Sequence, residues 1–144
     1  MLENKDYCDY DTCVALKELG YKVPTSAYYM PHHKDLIWVS NPFRGGYVID
    51  CFYSHNSLPK DVMTANFIDA PTLYEAQKWL REEKTIGVFV SGFKNGYTFW
   101  VNNLLNGDTL YQGFFDNQTG EKYKSYEEAL SEGIKEAVKI LKEK

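Results

Sequence analysis

The dipeptide Asn95-Gly96 strongly limits what this chain can fold into, because it separates two runs with strand-like alternation. Both central positions of a two-residue hairpin turn need a positive φ, and Asn-Gly meets that need well. The flanking runs are TIGVFVSGF (85–93) and YTFWVNNLL (97–105), which predict two antiparallel strands. A second turn at Asn106-Gly107-Asp108 predicts a third strand, TLYQGFFD (109–116), and so a three-stranded meander.

Two helix-start motifs flank this meander. The first is T-x-x-E at residues 72–75 and the second is S-x-x-E at residues 125–128. In such a capping box the hydroxyl accepts from the third amide of the helix, and the acid reaches back toward the cap. Apolar residues follow both motifs at helical spacing. We therefore predict helices over residues 73–83 and 126–142.

The N-terminal half begins with a third predicted helix, YDTCVALKEL (10–19). Asp9 or Asp11 can cap its start, and Gly20 is placed to end it in a left-handed conformation. Three strands follow in the prediction, at residues 25–30, 36–40 and 47–53. The last two form a hairpin across the turn NPFRGG, and the later run VMTANFID is open to a short helical turn or a short strand.

The predicted order is α-β-β-β-α-β-β-β-α, which indicates an α+β fold. In this fold an antiparallel hairpin and meander sheet packs against three helices, and the second and third helices cover the meander. The 144 residues fit a single domain, so residues 1–144 are predicted to form one α+β domain.

The charge balance argues against binding to nucleic acid. Sixteen Lys and Arg oppose twenty Asp and Glu, giving a net charge of −4. Nucleic-acid binders usually carry a basic surplus, because phosphate contacts supply much of their affinity. No apolar run reaches the ~18 residues of a membrane span, and the N-terminus lacks a signal peptide pattern. We therefore expect a cytoplasmic protein with reduced thiols and no membrane partner.

Cysteines and histidines supply the residues for metal or nucleophilic chemistry. They are Cys8, Cys13, Cys51, His32, His33 and His55. None of their spacings is the C-x2-C of a zinc knuckle, so we predict no metal and no cofactor. A cysteine hydrolase would pair Cys51 or Cys8 with His33 or His55, but no local signature surrounds these cysteines. The sequence therefore favours a protein that is not an enzyme, and it leaves open whether these residues come together in space.

Three segments resemble a family of small proteins from gut bacteria of the Bacteroides group and their phages. They are DYCDYDTCVALKELGYKVPTSAYYM (6–30), APTLYEAQKWLREEKTIGVFVSG (70–92) and SYEEALSEGIKEAVKIL (125–141). The family combines a similar opening, a helix leading into a strand, and a similar closing helix. The resemblance implies the fold and an origin in a phage or mobile element. It carries over no catalytic residue.

The aromatic content points to protein binding. Twelve Tyr, eight Phe and three Trp exceed what one small core needs, and Tyr and Trp supply much of the energy of interfaces. We predict a non-enzymatic accessory or interaction protein of a phage or mobile element. The residues expected to touch its protein partner are His32, His33, Arg44 and Tyr47.

Two other functions remain open. The first is a nucleic-acid-associated module, because residues 72–142 follow the α-β-β-β-α order that resembles double-stranded RNA binding domains. The second is a small cysteine hydrolase.

Overall fold

The structure is a computed structural model that divides the chain into two compact units. One unit is Tyr7–Thr72, and the other combines Met1–Asp6 with Leu73–Lys144. The residues that the structure describes are 3–23, 25–30, 36–38, 68–93, 96–112 and 123–143. One domain over residues 1–144 stays a prediction.

The first unit opens with helix α1, Tyr10–Glu18, close to the predicted span. Of the two candidate caps, Asp9 is the one used, because its side chain accepts a hydrogen bond from the Thr12 amide at 2.9 Å. After the helix Gly20 has a φ of 104°, a left-handed conformation that costs glycine little. Both ends of α1 are therefore set by the residues that the sequence indicated.

A small antiparallel sheet completes the described part of this unit. Its strands are β1 (Ala27–Tyr29), β2 (Ile37–Trp38) and β3 (Ile68–Asp69), in the order β2-β1-β3. β1 and β2 lie inside two predicted strands, and β3 shows that the end of VMTANFID is a strand. The predicted strand 47–53 and its NPFRGG turn lie outside the described residues.

The second unit contains the predicted helix–meander–helix order. Its elements are α2 (Leu73–Glu83), β4 (Ile86–Phe93), β5 (Gly96–Asn103), β6 (Thr109–Gln112) and α3 (Tyr126–Lys142). The strands form an antiparallel sheet in the order β4-β5-β6, and the first hairpin places Phe93 opposite Gly96. The predicted hairpin is present, but Gly96 is the first residue of β5 and pairs with Phe93, so the prediction that Gly96 occupies a central position of the turn is wrong. The α+β fold and the bounds of both helices are confirmed. The last predicted residues of the third strand, 113–116, lie outside the described residues.

Both helices of this unit pack on the meander. α2 contacts β4 and α3, and α3 contacts β4 and β5. Leu80 of α2, Ile134 of α3 and Val101 of the sheet are fully buried, and Ile86 of the sheet is nearly so. Burying such side chains removes apolar surface from water, which is the main stabilising contribution to folding. Among the described residues, no helix combines the length and the apolar character that crossing a bilayer requires.

Gly133 lets α3 lie close to the sheet. A Cβ atom built at this position would be 2.6 Å from Cγ1 of Val88 and 3.2 Å from Cδ2 of Phe99. The first distance is far below van der Waals contact, so only glycine fits without movement of the sheet. Glycine has a lower helix propensity than other residues, but at this position it allows α3 to pack closely on the sheet.

Ser125 caps α3 as predicted, with a difference in the second half of the motif. Its hydroxyl accepts a hydrogen bond from the Glu128 amide at 3.1 Å. The Glu128 carboxylate accepts from the Lys124 amide at 3.2 Å, one residue before the cap. The acid thus satisfies a backbone donor just outside the helix.

Replacing the cap should weaken α3. We expect Ser125→Ala to lower the free energy of unfolding by about 1 kcal/mol, because the Glu128 amide loses its acceptor. Urea denaturation measures the change. Ser131→Ala in the middle of the same helix is the matched control, and it should be neutral or stabilising by up to ~0.5 kcal/mol. Equal losses in the two variants would contradict the assigned cap.

Gly133→Ala tests the close packing of α3. Alanine is better than glycine in a helix by about 1 kcal/mol. Overpacking against Val88 should exceed that gain, because such clashes cost roughly 1–3 kcal/mol. We expect a net loss of stability in thermal and urea unfolding. In a Val88→Ala background the same change should become stabilising, because the space is then available. A gain in the otherwise unchanged protein would refute the contact.

Candidate functional site

The residues that the sequence analysis placed at a binding site lie outside the described part of the chain. This holds for His32, His33, Arg44 and Tyr47. Their role stays a prediction. Cys51 and His55, which were considered for metal binding and hydrolysis, lie outside it as well.

The two described cysteines lie together inside the first unit. Cys8 and Cys13 are both buried and not joined by a disulfide. The Cys13 thiol donates to the Cys8 carbonyl at 3.6 Å, and the Tyr29 hydroxyl donates to the same oxygen at 2.8 Å. This carbonyl therefore accepts two side-chain hydrogen bonds and connects α1 with β1.

The surroundings of Cys13 favour its protonated thiol. A side-chain hydrogen bond with Cys8 raises the pKa of the Cys13 thiol far above its ordinary range, and burial raises it further. Burial also raises the pKa of the neighbouring Tyr29 hydroxyl. Because the thiolate is the nucleophile and the metal ligand, Cys13 in this state serves neither purpose. In the described segments, no three His, Cys, Asp or Glu side chains are grouped so that they could hold a metal ion.

Thiol labelling should reveal this burial. In a Cys51→Ser variant we expect Cys8 and Cys13 to stay unreactive toward Ellman's reagent at neutral pH until urea unfolds the protein. The Cys13 thiol of the unfolded chain ionises near pH ~8.5, whereas the folded one does not. Unfolded protein then binds fewer protons, so stability should fall as the pH rises past that value. Rapid labelling of the native protein would contradict both expectations.

The face of the meander that points away from the helices carries large apolar side chains. Phe89 of β4 is 45% exposed and stands opposite the half-buried Trp100 of β5. Residues opposite each other on antiparallel strands project to the same face. Leu104, which directly follows β5, is 40% exposed. Isolated exposed hydrophobics are common, but here several lie on one face.

Gly87 brings these side chains together. A Cβ atom at this position would be 2.6 Å from Cε2 of Phe89 and 2.9 Å from Cδ2 of Leu104. The Phe89 ring and the Leu104 side chain therefore both lie over the glycine. Asn102 stands directly opposite Gly87. We call Phe89, Trp100, Asn102 and Leu104, grouped around Gly87, the open-face patch.

One polar atom lies within this apolar group. The Oδ1 atom of Asn102 is buried and has no hydrogen-bond partner among the described residues. Leaving a buried acceptor unpaired costs about 1–3 kcal/mol. The Oγ1 atom of Thr98, on the same face of β5, is also buried and has no hydrogen-bond partner among the described residues. The face thus combines exposed apolar area with an acceptor that lacks a donor.

The helix side of the same unit is acidic at the start of α3. Its first turn carries Glu127 and Glu128. Burial, followed by the charge of Glu127, raises the pKa of Tyr74, whose ring stacks on Tyr126 at 6.3 Å between centroids. Farther along α3, Lys135 lies 3.3 Å from Glu132 in an ion pair. The negative charges of Glu127 and Glu128 at the start of α3 interact favourably with the helix dipole, but they would repel a phosphate group.

The sequence analysis did not single out the open-face patch. Gly87 was the available signal, because a glycine inside a strand often marks a close approach of another group. Comparisons with protein-family models, curated proteins and solved structures found no match to this chain.

Proposed function

We propose that this protein is a non-enzymatic protein-interaction module that binds a partner protein through the open-face patch. The observation that carries the proposal is the position of Phe89 and Leu104, which are both at least 40% exposed and both lie over Gly87 on the same face of the sheet. Contiguous exposed apolar surface on a protein of this size is typical of an interaction site. Phe and Trp are also enriched at the centres of interfaces.

The chemistry of the patch suggests what the partner supplies. Phe89, Trp100 and Leu104 offer apolar walls, so a partner gains by burying an apolar side chain between them. Among the described residues the buried Asn102 Oδ1 atom has no donor, and the side chain as a whole is half-buried, at the edge of the patch. A partner with one apolar side chain next to a free N–H group satisfies both features. The N–H then restores the hydrogen bond that the amide oxygen lacks.

Buried thiols support a role other than catalysis. Cys8 and Cys13 are buried, and the raised pKa of Cys13 opposes formation of a thiolate. A cysteine hydrolase would then need Cys51 as its nucleophile, paired with His33 or His55. These residues were considered from the sequence. The origin in a phage or mobile element that the resemblance implies, and the cytoplasmic location expected from the sequence, remain part of this proposal.

Site-specific crosslinking can test the patch. The photoreactive residue benzoyl-phenylalanine replaces Leu104 in one full-length variant and Val23 in another, because Val23 is exposed to a similar degree. We expect a partner protein to crosslink from position 104 and not from position 23. With that partner purified, Leu104→Asp should weaken binding by roughly tenfold or more, the effect of losing one buried aliphatic side chain. Val23→Asp should change it by less than about twofold.

Other outcomes would contradict the open-face patch as the site or place the site elsewhere. Crosslinking from position 23 but not 104 would contradict the proposal. A loss of binding in Arg44→Ala with none in Leu104→Asp would instead favour the residues predicted from the sequence. All variants must keep the circular dichroism spectrum of the unchanged protein, so that a folding defect is not read as lost binding.

A second candidate is a nucleic-acid-associated module. Its support is the α-β-β-β-α order of the second unit, with α2 and α3 packed together on the sheet. Glu127 and Glu128 at the start of α3 argue against it, because that helix end meets phosphate in double-stranded RNA binding domains. Fluorescence anisotropy with a short RNA duplex separates the two. Salt-sensitive binding that Lys139→Ala weakens would favour the second candidate.

A further inference from the structure

The outer edge of β4 carries backbone groups that no described strand uses. The sheet order β4-β5-β6 gives β4 a neighbouring strand on one side only in the described part of the chain. Just before β4, the Thr85 carbonyl accepts a hydrogen bond from the Leu104 amide, which directly follows β5, at 2.8 Å. The backbone groups of every second residue from Thr85 onward, the odd-numbered ones, therefore bond to β5. Backbone groups alternate in direction along an antiparallel strand. Those of Ile86, Val88, Val90 and Gly92 therefore point to the outer edge.

One side chain occupies part of this edge. Gln77 of α2 donates from Nε2 to the Val88 carbonyl at 2.8 Å. This bond confirms that Val88 faces outward. Beyond it Val90 and Ser91 are half-buried and Gly92 is exposed.

The edge lacks the usual protection against pairing with another strand. Natural edge strands are short, bulged, charged or interrupted by proline. β6, at the opposite side of the meander, has four residues and an irregular register against β5. β4 has eight residues, regular pairing throughout, and neither a charge nor a proline. Gln77 is the one side chain among the described residues seen to cap a carbonyl of this edge.

We propose that the outer edge of β4 pairs antiparallel with β4 of a second copy of this chain, about a two-fold axis at Phe89. In this register Val88 exchanges both backbone hydrogen bonds with Val90 of the copy, and Ile86 does so with Gly92. Phe89 then stands opposite Phe89 of the copy as a non-hydrogen-bonded pair, whose Cα atoms lie about 4.5 Å apart. The two meanders form one continuous six-stranded sheet.

A second copy fits this edge for two reasons on the strand itself. The even-numbered backbone groups are spaced symmetrically about Phe89, so the strand complements itself without a shift of register. The ring of Phe89, which is 45% exposed, becomes covered by its own equivalent. The uncharged strand also keeps like charges out of the interface, although each chain has a net charge of −4.

Gln77 limits the strength of this pairing. Its amide lies on the Val88 carbonyl, which the second copy also uses, so it must move or share that oxygen. We therefore expect a weak, reversible dimer. The pairing needs no other molecule and is tested without one. Because it covers Phe89 of the open-face patch, it competes with the partner protein proposed above for that side chain.

Sedimentation equilibrium of the full chain over a concentration series tests the proposal. We expect a monomer–dimer equilibrium. Val90→Pro removes an outward N–H but no hydrogen bond to β5, and it should weaken the dimer by about tenfold or more. Val90→Ala keeps that N–H and should weaken it by less than about threefold. Circular dichroism checks that both variants fold.

A charge exchange tests the position of the axis even if the proline variant does not fold. Phe89→Lys and Phe89→Glu should each be monomeric alone, because like charges then face each other across the axis. Mixed in equal amounts they should form a 1:1 dimer. Leu105→Lys with Leu105→Glu is the matched control, because Leu105 is exposed but lies outside β4, and its mixture should behave like the unchanged protein.

Three results would overturn the proposal. One is a protein that sediments as a monomer up to its solubility limit. Another is a mixture of folded Phe89→Lys and Phe89→Glu that stays monomeric. The third is a dimer that all of these variants leave unchanged, because another surface would then join the copies.

Discussion

The described surface of the second unit depends on the contact between α3 and the meander at Gly133. Because this residue has no Cβ, the helix backbone lies close enough for Val88 and Phe99 to pack directly against it. That contact fixes which face of β4 and β5 is inside. Side chains alternate along a strand, so Phe89 and Trp100 must then project to the other face. The open-face patch is the geometric consequence of the packing on the opposite side.

Most of the second unit follows from local sequence signals. The Ser125 cap marks the start of α3, and the alternating runs on both sides of Asn95-Gly96 mark the hairpin. Such signals span a few residues, so they survive in any tertiary context. The register itself differs from the motif, because Gly96 pairs with Phe93 inside the sheet and does not occupy the centre of the turn. Another exception is Glu128, whose carboxylate bonds to the Lys124 amide instead of the cap residue. That choice depends on side-chain rotamers, which the motif does not specify.

The third strand of the small sheet was harder to predict, because it pairs with β1 over a long stretch of chain. Tyr28 stands opposite Ile37, a near neighbour in sequence, on one side and opposite the distant Asp69 on the other. No turn motif connects β1 with β3, and a strand of two residues shows no alternation. The candidate site posed a different problem. Aromatic residues on both faces of β5 hide the usual contrast between apolar and polar sides, and only Gly87 marked the face where Phe89 and Leu104 lie.

The position of Gln77 also affects the protein while it is being synthesised. It precedes Val88, whose carbonyl it binds, by eleven residues, so α2 leaves the ribosome before β4. β4 in turn emerges before β5, its partner in the sheet. During that interval an uncharged strand is prone to pair with the same strand of a neighbouring nascent chain on the polysome. Because Gln77 lies on the helix that precedes β4, its amide is available to the Val88 carbonyl before β5 has been synthesised.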